Sequence, residues 1–145
     1  MDKFSEKVNL HEKTKKINES KLLTNLFVAP GNAGTATFAT NVPVNVNDFE
    51  SIKNVVLENN ISLVVVGPED PLVNGIGDFF LSDNELKHIG LVGPKKDGAQ
   101  LEGSKEFSKK FMEKHQIPTA QYQSFTAETL NNGLQFLETL SLVTP

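Results

Sequence analysis

Apolar residues along this chain fall into short runs separated by glycine and proline, and the spacing inside each run predicts an element. Leu26 to Ala29 is an apolar run that ends at Pro30-Gly31, as a buried strand feeding a loop would. Val42 to Val46 alternates apolar and polar positions, and Asp48 then stands where it can cap a helix. That helix carries Phe49, Ile52, Val56 and Leu57 at helical spacing and closes at Asn59-Asn60. Ser62 to Val66 follows, uninterruptedly apolar from Leu63 onward, which predicts a strand buried on both faces of a parallel sheet. It stops at Gly67-Pro68. Asp70 is the expected N-cap of the next helix, with Pro71 in the first turn and Val73, Ile76, Phe79 and Phe80 along it. Leu91-Val92 predicts another strand, ended by Gly93-Pro94, and a short helix is expected around Gly98 to Leu101.

Strands and helices alternating in this order predict an α/β fold with a Rossmann-like, doubly wound parallel sheet. In such sheets ligands sit beyond the carboxyl ends of the strands. Ala29 to Thr35, Gly67 to Pro71 and Gly93-Pro94 are the loops at those ends, and all three are expected on one edge. The texture changes at Gly103. Ser104 to His115 reads as a lysine-rich amphipathic helix with Phe107, Phe111 and Met112 as its buried stripe. Tyr122 to Phe125 reads as a strand, and Ala127 to Leu140 as a second amphipathic helix. Three segments are expected: an atypical charged stretch at 1–21, a Rossmann-like domain at 22–102, and the start of a further domain at 103–145.

Composition narrows the function. A net charge of −4 with no concentrated basic face speaks against a nucleic-acid partner. Cysteine is absent, which removes disulfides, thiolate nucleophiles and cysteine zinc sites. No run approaches the roughly 20 apolar residues that span a bilayer, and Met1 to Ser20 lacks the apolar core of a secretory signal. A cytoplasmic protein with no membrane partner is expected. His11, His88 and His115 share no ligand spacing and are assigned neither to metal nor to catalysis.

The candidate chemistry lies in the strand-end loops. Gly31 and Gly34 let backbone N–H groups converge on an anion, while Asn32 and Thr35 carry side-chain groups suited to phosphate or sugar hydroxyls. An ordinary turn uses the same residues. Glu69 and Asp70 are adjacent carboxylates placed to meet sugar hydroxyls or an amine; the bland alternative is a helix cap beside a solvated glutamate. Lys105 opens a helix, where one ammonium can hold a phosphate as a point charge.

Four strings then stand in register: Val28-Ala29-Pro30-Gly31-Asn32-Ala33-Gly34-Thr35, Val65-Val66-Gly67-Pro68-Glu69-Asp70-Pro71-Leu72, Gln100-Leu101-Glu102-Gly103-Ser104-Lys105 and Ile117-Pro118-Thr119-Ala120. Together they resemble the phosphoribosylamine–glycine ligase family from about Leu22 to about Leu140. The resemblance implies a Rossmann-like N-terminal domain followed by an ATP-grasp domain. It implies a purine-pathway reaction in which ATP phosphorylates the glycine carboxylate and the amine of phosphoribosylamine attacks the acyl phosphate. By the same resemblance Gly31, Asn32, Gly34, Thr35, Glu69 and Asp70 are substrate-binding, and Lys105 lies near the ATP phosphates. The full-length ligase is expected to use ATP with magnesium or manganese, and its substrates are phosphoribosylamine, glycine and ATP.

Two departures accompany the match. The family begins with an apolar strand and a glycine-rich loop followed by Arg-Glu-His, whereas no glycine precedes Gly31 here. Leu142 to Pro145 does not resemble the family, and the sequence stops before the ATP-grasp core. The chain alone is therefore expected to be inactive, with no catalytic residue and no metal ligand of its own, and to be marginally stable or to self-associate through an uncovered sheet flank. The alternative is a non-catalytic sugar-phosphate-binding or protein-interaction module of the same fold. A nicotinamide dinucleotide domain fits less well, for want of a Gly-x-Gly-x-x-Gly loop after a strand.

Overall fold

The computed structural model describes residues 3–139, which form two compact units divided between Gly103 and Ser104. The first is α/β. It opens with helix α1 (Lys3–Asn18). Strand β1 (Phe27–Val28) pairs in parallel with β2 (Thr40–Asn41). The expected alternating stretch at Val42 to Val46 lies beyond that strand rather than in it, and Val44 N–H turns back onto Val42 O at 2.8 Å.

Helix α2 (Phe49–Glu58) starts where the sequence predicts: Asp48 accepts from Ser51 N–H at 3.1 Å and from Ser51 Oγ at 2.7 Å. The same two bonds hold the Asp48 carboxyl below its ordinary pKa. Strand β3 (Leu63–Val65) pairs in parallel with β4 (Gly90–Val92), in the register Leu63 to Gly90, Val64 to Leu91 and Val65 to Val92. Two parallel pairs stand where one doubly wound sheet was expected.

The helix expected from Asp70 onward is two helices. Its N-cap is Pro68 rather than Asp70, so Glu69, Asp70 and Pro71 all fall in the first turn of α3 (Glu69–Asn74). Gly75, at φ +97°, closes α3 and opens α4 (Ile76–Ser82). An L side chain rarely adopts that left-handed angle, so the break belongs to glycine. Helix α5 (Lys96–Gly103) is braced to α4 by Asp78, whose Oδ2 accepts from Lys96 N–H at 2.8 Å.

The core joins α2, α3, α4 and α5 through Ile52, Val56, Leu72, Ile76, Phe80, Leu86 and Ala99. Val64 and Leu91 reach it from the sheet, and Ala29 from the end of β1. Phe80 and Leu86 are wholly enclosed, each burial worth about 1.5–3 kcal/mol. Lys53 on α2 ties the end of α4 to this core, its Nζ lying 2.6 Å from Asp83 and 2.8 Å from Glu85.

One expectation about the sheet is overturned. Leu63, Val65 and Val92 are 56%, 47% and 54% exposed, so the β3–β4 pair buries one face only. The apolar run reads as two-sided because leucine and valine stand at successive positions, but helices cover only the side of Val64 and Leu91.

The second unit holds α6 (Lys105–Lys114), a 3-10 turn at Ala127–Thr129 and α7 (Leu130–Thr139). Ser104 caps α6 by accepting from Phe107 N–H at 3.2 Å. The stripe expected to be buried is not: Phe107 is exposed and Phe111 and Met112 are half-buried. Residues Tyr122 to Phe125 form no strand, and Leu140 lies outside the described residues.

Candidate functional site

The loop after β1 is built from its own side chains. The Ala29–Pro30 peptide is cis, and Gly31 sits at φ +75° with Asn41 pressed against it. A Cβ at Gly31 would come within 2.2 Å of Asn41 Oδ1, so glycine is required here both by angle and by space. Asn32 Oδ1 accepts from Gly34 N–H at 2.8 Å and from Thr35 N–H at 3.1 Å. Asn32 N–H donates to Thr35 Oγ1 at 2.8 Å. Thr35 is fully buried, and its hydroxyl has Asn41 Oδ1 at 2.7 Å and Asn32 O at 3.0 Å as acceptors. Asn41 Nδ2 donates to Asn32 O at 2.7 Å. With one hydroxyl proton to give, Thr35 satisfies Asn41, and Asn41 in turn satisfies Asn32.

This changes what the loop offers a ligand. The Asn32 carbonyl and the Thr35 hydroxyl, read from the sequence as ligand groups, are occupied in closing the loop. The Gly34 amide is occupied as well. Among the described residues no acceptor is bonded to the N–H groups of Gly31 and Ala33 or to the Nδ2 group of Asn32. Two backbone N–H groups and one side-chain amide suit an anion or a sugar oxygen.

Sequence reasoning missed two members of this cluster. Asn41 is a polar residue in strand β2, twelve positions past the end of the apolar run, and nothing in local spacing ties it to Asn32. His11 lies on α1, which packs on the 3-10 turn Thr35–Thr37. Its ring lies against Phe38, tilted by 56° with centroids 5.4 Å apart, and its Nδ1 lies 2.9 Å from where a Cβ on Gly34 would sit. Scanning for metal spacing passes over a histidine whose role is to face a loop.

Glu69 and Asp70 are exposed in the first turn of α3, and among the described residues neither carboxylate has a hydrogen-bond or ion-pair partner. They are linked to the loop through the core, since Ala29 and Leu72 belong to the same packed cluster. Lys105 lies in the second unit, exposed at the start of α6 and, among the described residues, without an acidic partner. A hollow of about 160 Å³ between α4 and β4 and an open polar one of about 410 Å³ beside Ser20, Thr24 and Thr37 lie elsewhere in the first unit. Neither is lined by residues 31–35 or 69–70. Among the described residues no group of three or more histidine, aspartate or glutamate side chains is placed to hold a metal. No described helix is long and apolar enough to cross a membrane.

Comparison with known proteins adds the following. The profile of the family described as phosphoribosylglycinamide synthetase, N domain, matches residues 11–102, beginning at the histidine that faces the loop. A phosphoribosylamine–glycine ligase of Pasteurella multocida is 45% identical over 113 residues, covering 77% of this chain and 25% of its own length. One from Pseudomonas syringae is 47% identical over the same length. A bifunctional purine biosynthetic protein of Dictyostelium discoideum is 42% identical over 133 residues, 90% of this chain and 16% of its own length. The chain thus spans about a quarter of the length of the ligases it matches.

Proposed function

The chain belongs to the phosphoribosylglycinamide synthetase N-domain family, and we propose from that premise that it forms the phosphoribosylamine-binding part of a phosphoribosylamine–glycine ligase. The observation that carries this reading is the loop of residues 31–35, closed by Asn41 inside the family match, with the Gly31 and Ala33 amides left to donate. In this reading Gly31, Asn32, Gly34 and Thr35 shape the cradle for the sugar phosphate. Gly34 and Thr35 contribute by holding the loop, and the amides of Gly31 and Ala33 meet the ligand. Glu69 and Asp70 accept hydrogen bonds from ribose hydroxyls or hold the substrate amine as a cation.

The finer arrangement is proposed with it. The two parallel strand pairs are parts of a Rossmann-like doubly wound sheet, and residues 103–145 begin an ATP-grasp domain in which Lys105 meets the nucleotide phosphates as a point charge. ATP supplies the phosphoryl group that activates glycine as glycyl phosphate in the complete cytoplasmic ligase of purine biosynthesis. The described residues do not fit the divalent metal that accompanies ATP, since they bring no three candidate ligands together. Its ligands and the catalytic groups are assigned to the part of the ligase length that this chain does not span, and the chain alone is read as inactive.

The test is a titration of glycinamide ribonucleotide into the isotopically labelled chain, followed by backbone amide NMR. Saturable shifts at Gly31, Ala33, Glu69 and Asp70, abolished by Gly31→Val, are expected. A dispersed spectrum in which those amides do not move, or in which the wild-type and Gly31→Val chains respond alike, would sink the assignment.

A further inference from the structure

Parallel strands are ordinarily covered on both faces, yet the β3–β4 pair carries a bare strip. The register sets Val65 beside Val92 and Leu63 beside Gly90. Leu63 Cδ1 already lies over that glycine, 2.9 Å from where a Cβ would sit, so the three exposed aliphatic side chains form one continuous strip. Helix α1 packs on the 3-10 turn Thr35–Thr37.

The same strand has an open backbone edge. Ser62 O accepts from Gly90 N–H, and Val66 N–H donates to Val92 O. The N–H and C=O of a strand residue point to one side, and the side alternates along the strand. Val64 therefore faces β4 as well, while Leu63 and Val65 turn their backbone groups the other way. Among the described residues β4 is the one strand paired with β3. Leu63 and Val65 thus combine an unpaired backbone with an uncovered side chain.

We propose that β3 receives an added strand: an extended segment of another polypeptide, apolar at alternate positions, which bonds to the backbone of Leu63 and Val65 and lays its side chains along the strip. Size selects this occupant over a second copy of the chain. Three half-exposed aliphatic side chains fall far short of the roughly 800 Å² that each partner of a stable dimer buries. A single added strand needs only a short apolar strip, because main-chain hydrogen bonds supply much of its affinity. The inference is independent of the ligase reading.

The experiment titrates the full chain with a short synthetic peptide alternating valine and threonine, with lysine at each end. Amide hydrogen exchange at Leu63 and Val65 is expected to slow at least about ten-fold, and Val65→Lys is expected to remove that slowing. A second peptide, with proline replacing every threonine, lacks the donors for a ladder and is expected not to protect either amide. That comparison holds even where the lysine variant fails to fold. Unchanged exchange at saturating peptide, or equal protection by the proline peptide, overturns the proposal. Peptide-free chain that sediments as a dimer with both amides protected overturns it too, by giving the strip to a second copy.

Discussion

Helices α2 and α7 are each ten residues long and amphipathic, and they meet opposite fates. In α2 the apolar positions Ile52 and Val56 are buried in a core shared with Phe80 and Leu86. In α7 Leu130, Leu134 and Leu137 stand on one side and are all more than half exposed. Its inward contacts are Phe136 on Phe125, with ring centroids 5.9 Å apart, and Gly133 close to the same ring. The first unit supplies two strand pairs and, in the same core, helices α3, α4 and α5 to pack against; the described part of the second supplies one helix, a turn and an extended segment. Helical spacing announces that a face exists, whereas burial depends on what the rest of the chain brings to it.

The sharpest way to break this contrast is to truncate one side chain on each side of it. Phe80→Ala in the first core is expected to cost about 3–5 kcal/mol, and Leu137→Ala less than about 0.5 kcal/mol, both read by urea denaturation. Comparable losses would mean that α7 is buried against something in solution.

A smaller effect is expected in the candidate site. Asn41→Ala removes two of the loop's closing bonds, from the Thr35 hydroxyl to Asn41 Oδ1 and from Asn41 Nδ2 to Asn32 O, and leaves Thr35 to donate to Asn32 O, at about 0.5–1.5 kcal/mol for each bond lost. Amide exchange should accelerate at Gly34 and Thr35 while α2 stays protected. If only the global stability changes, Asn41 belongs to the core and not to the loop.

The smallest effect concerns the ion pair that fastens α2 to the end of α4. Lys53 and the Glu85 N–H hold the Asp83 carboxyl below its ordinary 3.8. Asp83 and Glu85 raise the Lys53 ammonium above its ordinary 10.5. The aspartate contribution is therefore complete above pH 3.8 and lost as pH falls through the lower folded value. The lysine contribution is complete below pH 10.5 and lost as pH rises through the higher folded value. Asp83→Asn should flatten the acid limb of a Tm-against-pH profile; an unchanged limb would assign it to other carboxylates.

Much of the first unit was legible along the chain. The start of α2 was readable because a cap is a local bond between Asp48 and Ser51. Lys105 could be placed at the start of α6 for the same reason, with Ser104 as the cap. The break at Gly75 was less legible, because glycine inside a helical pattern can be tolerated or can turn left-handed, and packing chooses. In the site, the glycine-rich loop was visible as a string, and its resemblance to the ligases agrees with the family match. What the string hid was the allocation of its hydrogen bonds. Asn32 and Thr35 have the same donors and acceptors whether they bind a ligand or each other.

Local rules, acting over three or four residues, thus determined the elements, their caps and the glycine-lined turn from the sequence by itself. Tertiary structure decided which apolar faces found partners, so that Val64 is packed and Val65 is bare. It also decided which polar groups remained free, through Asn41 and His11, which approach the loop from a neighbouring strand and from α1. The physical reason is common to both. Burial and hydrogen-bond satisfaction depend on atoms brought together across the fold, and neither hydrophobic period nor turn chemistry encodes which distant residue will arrive.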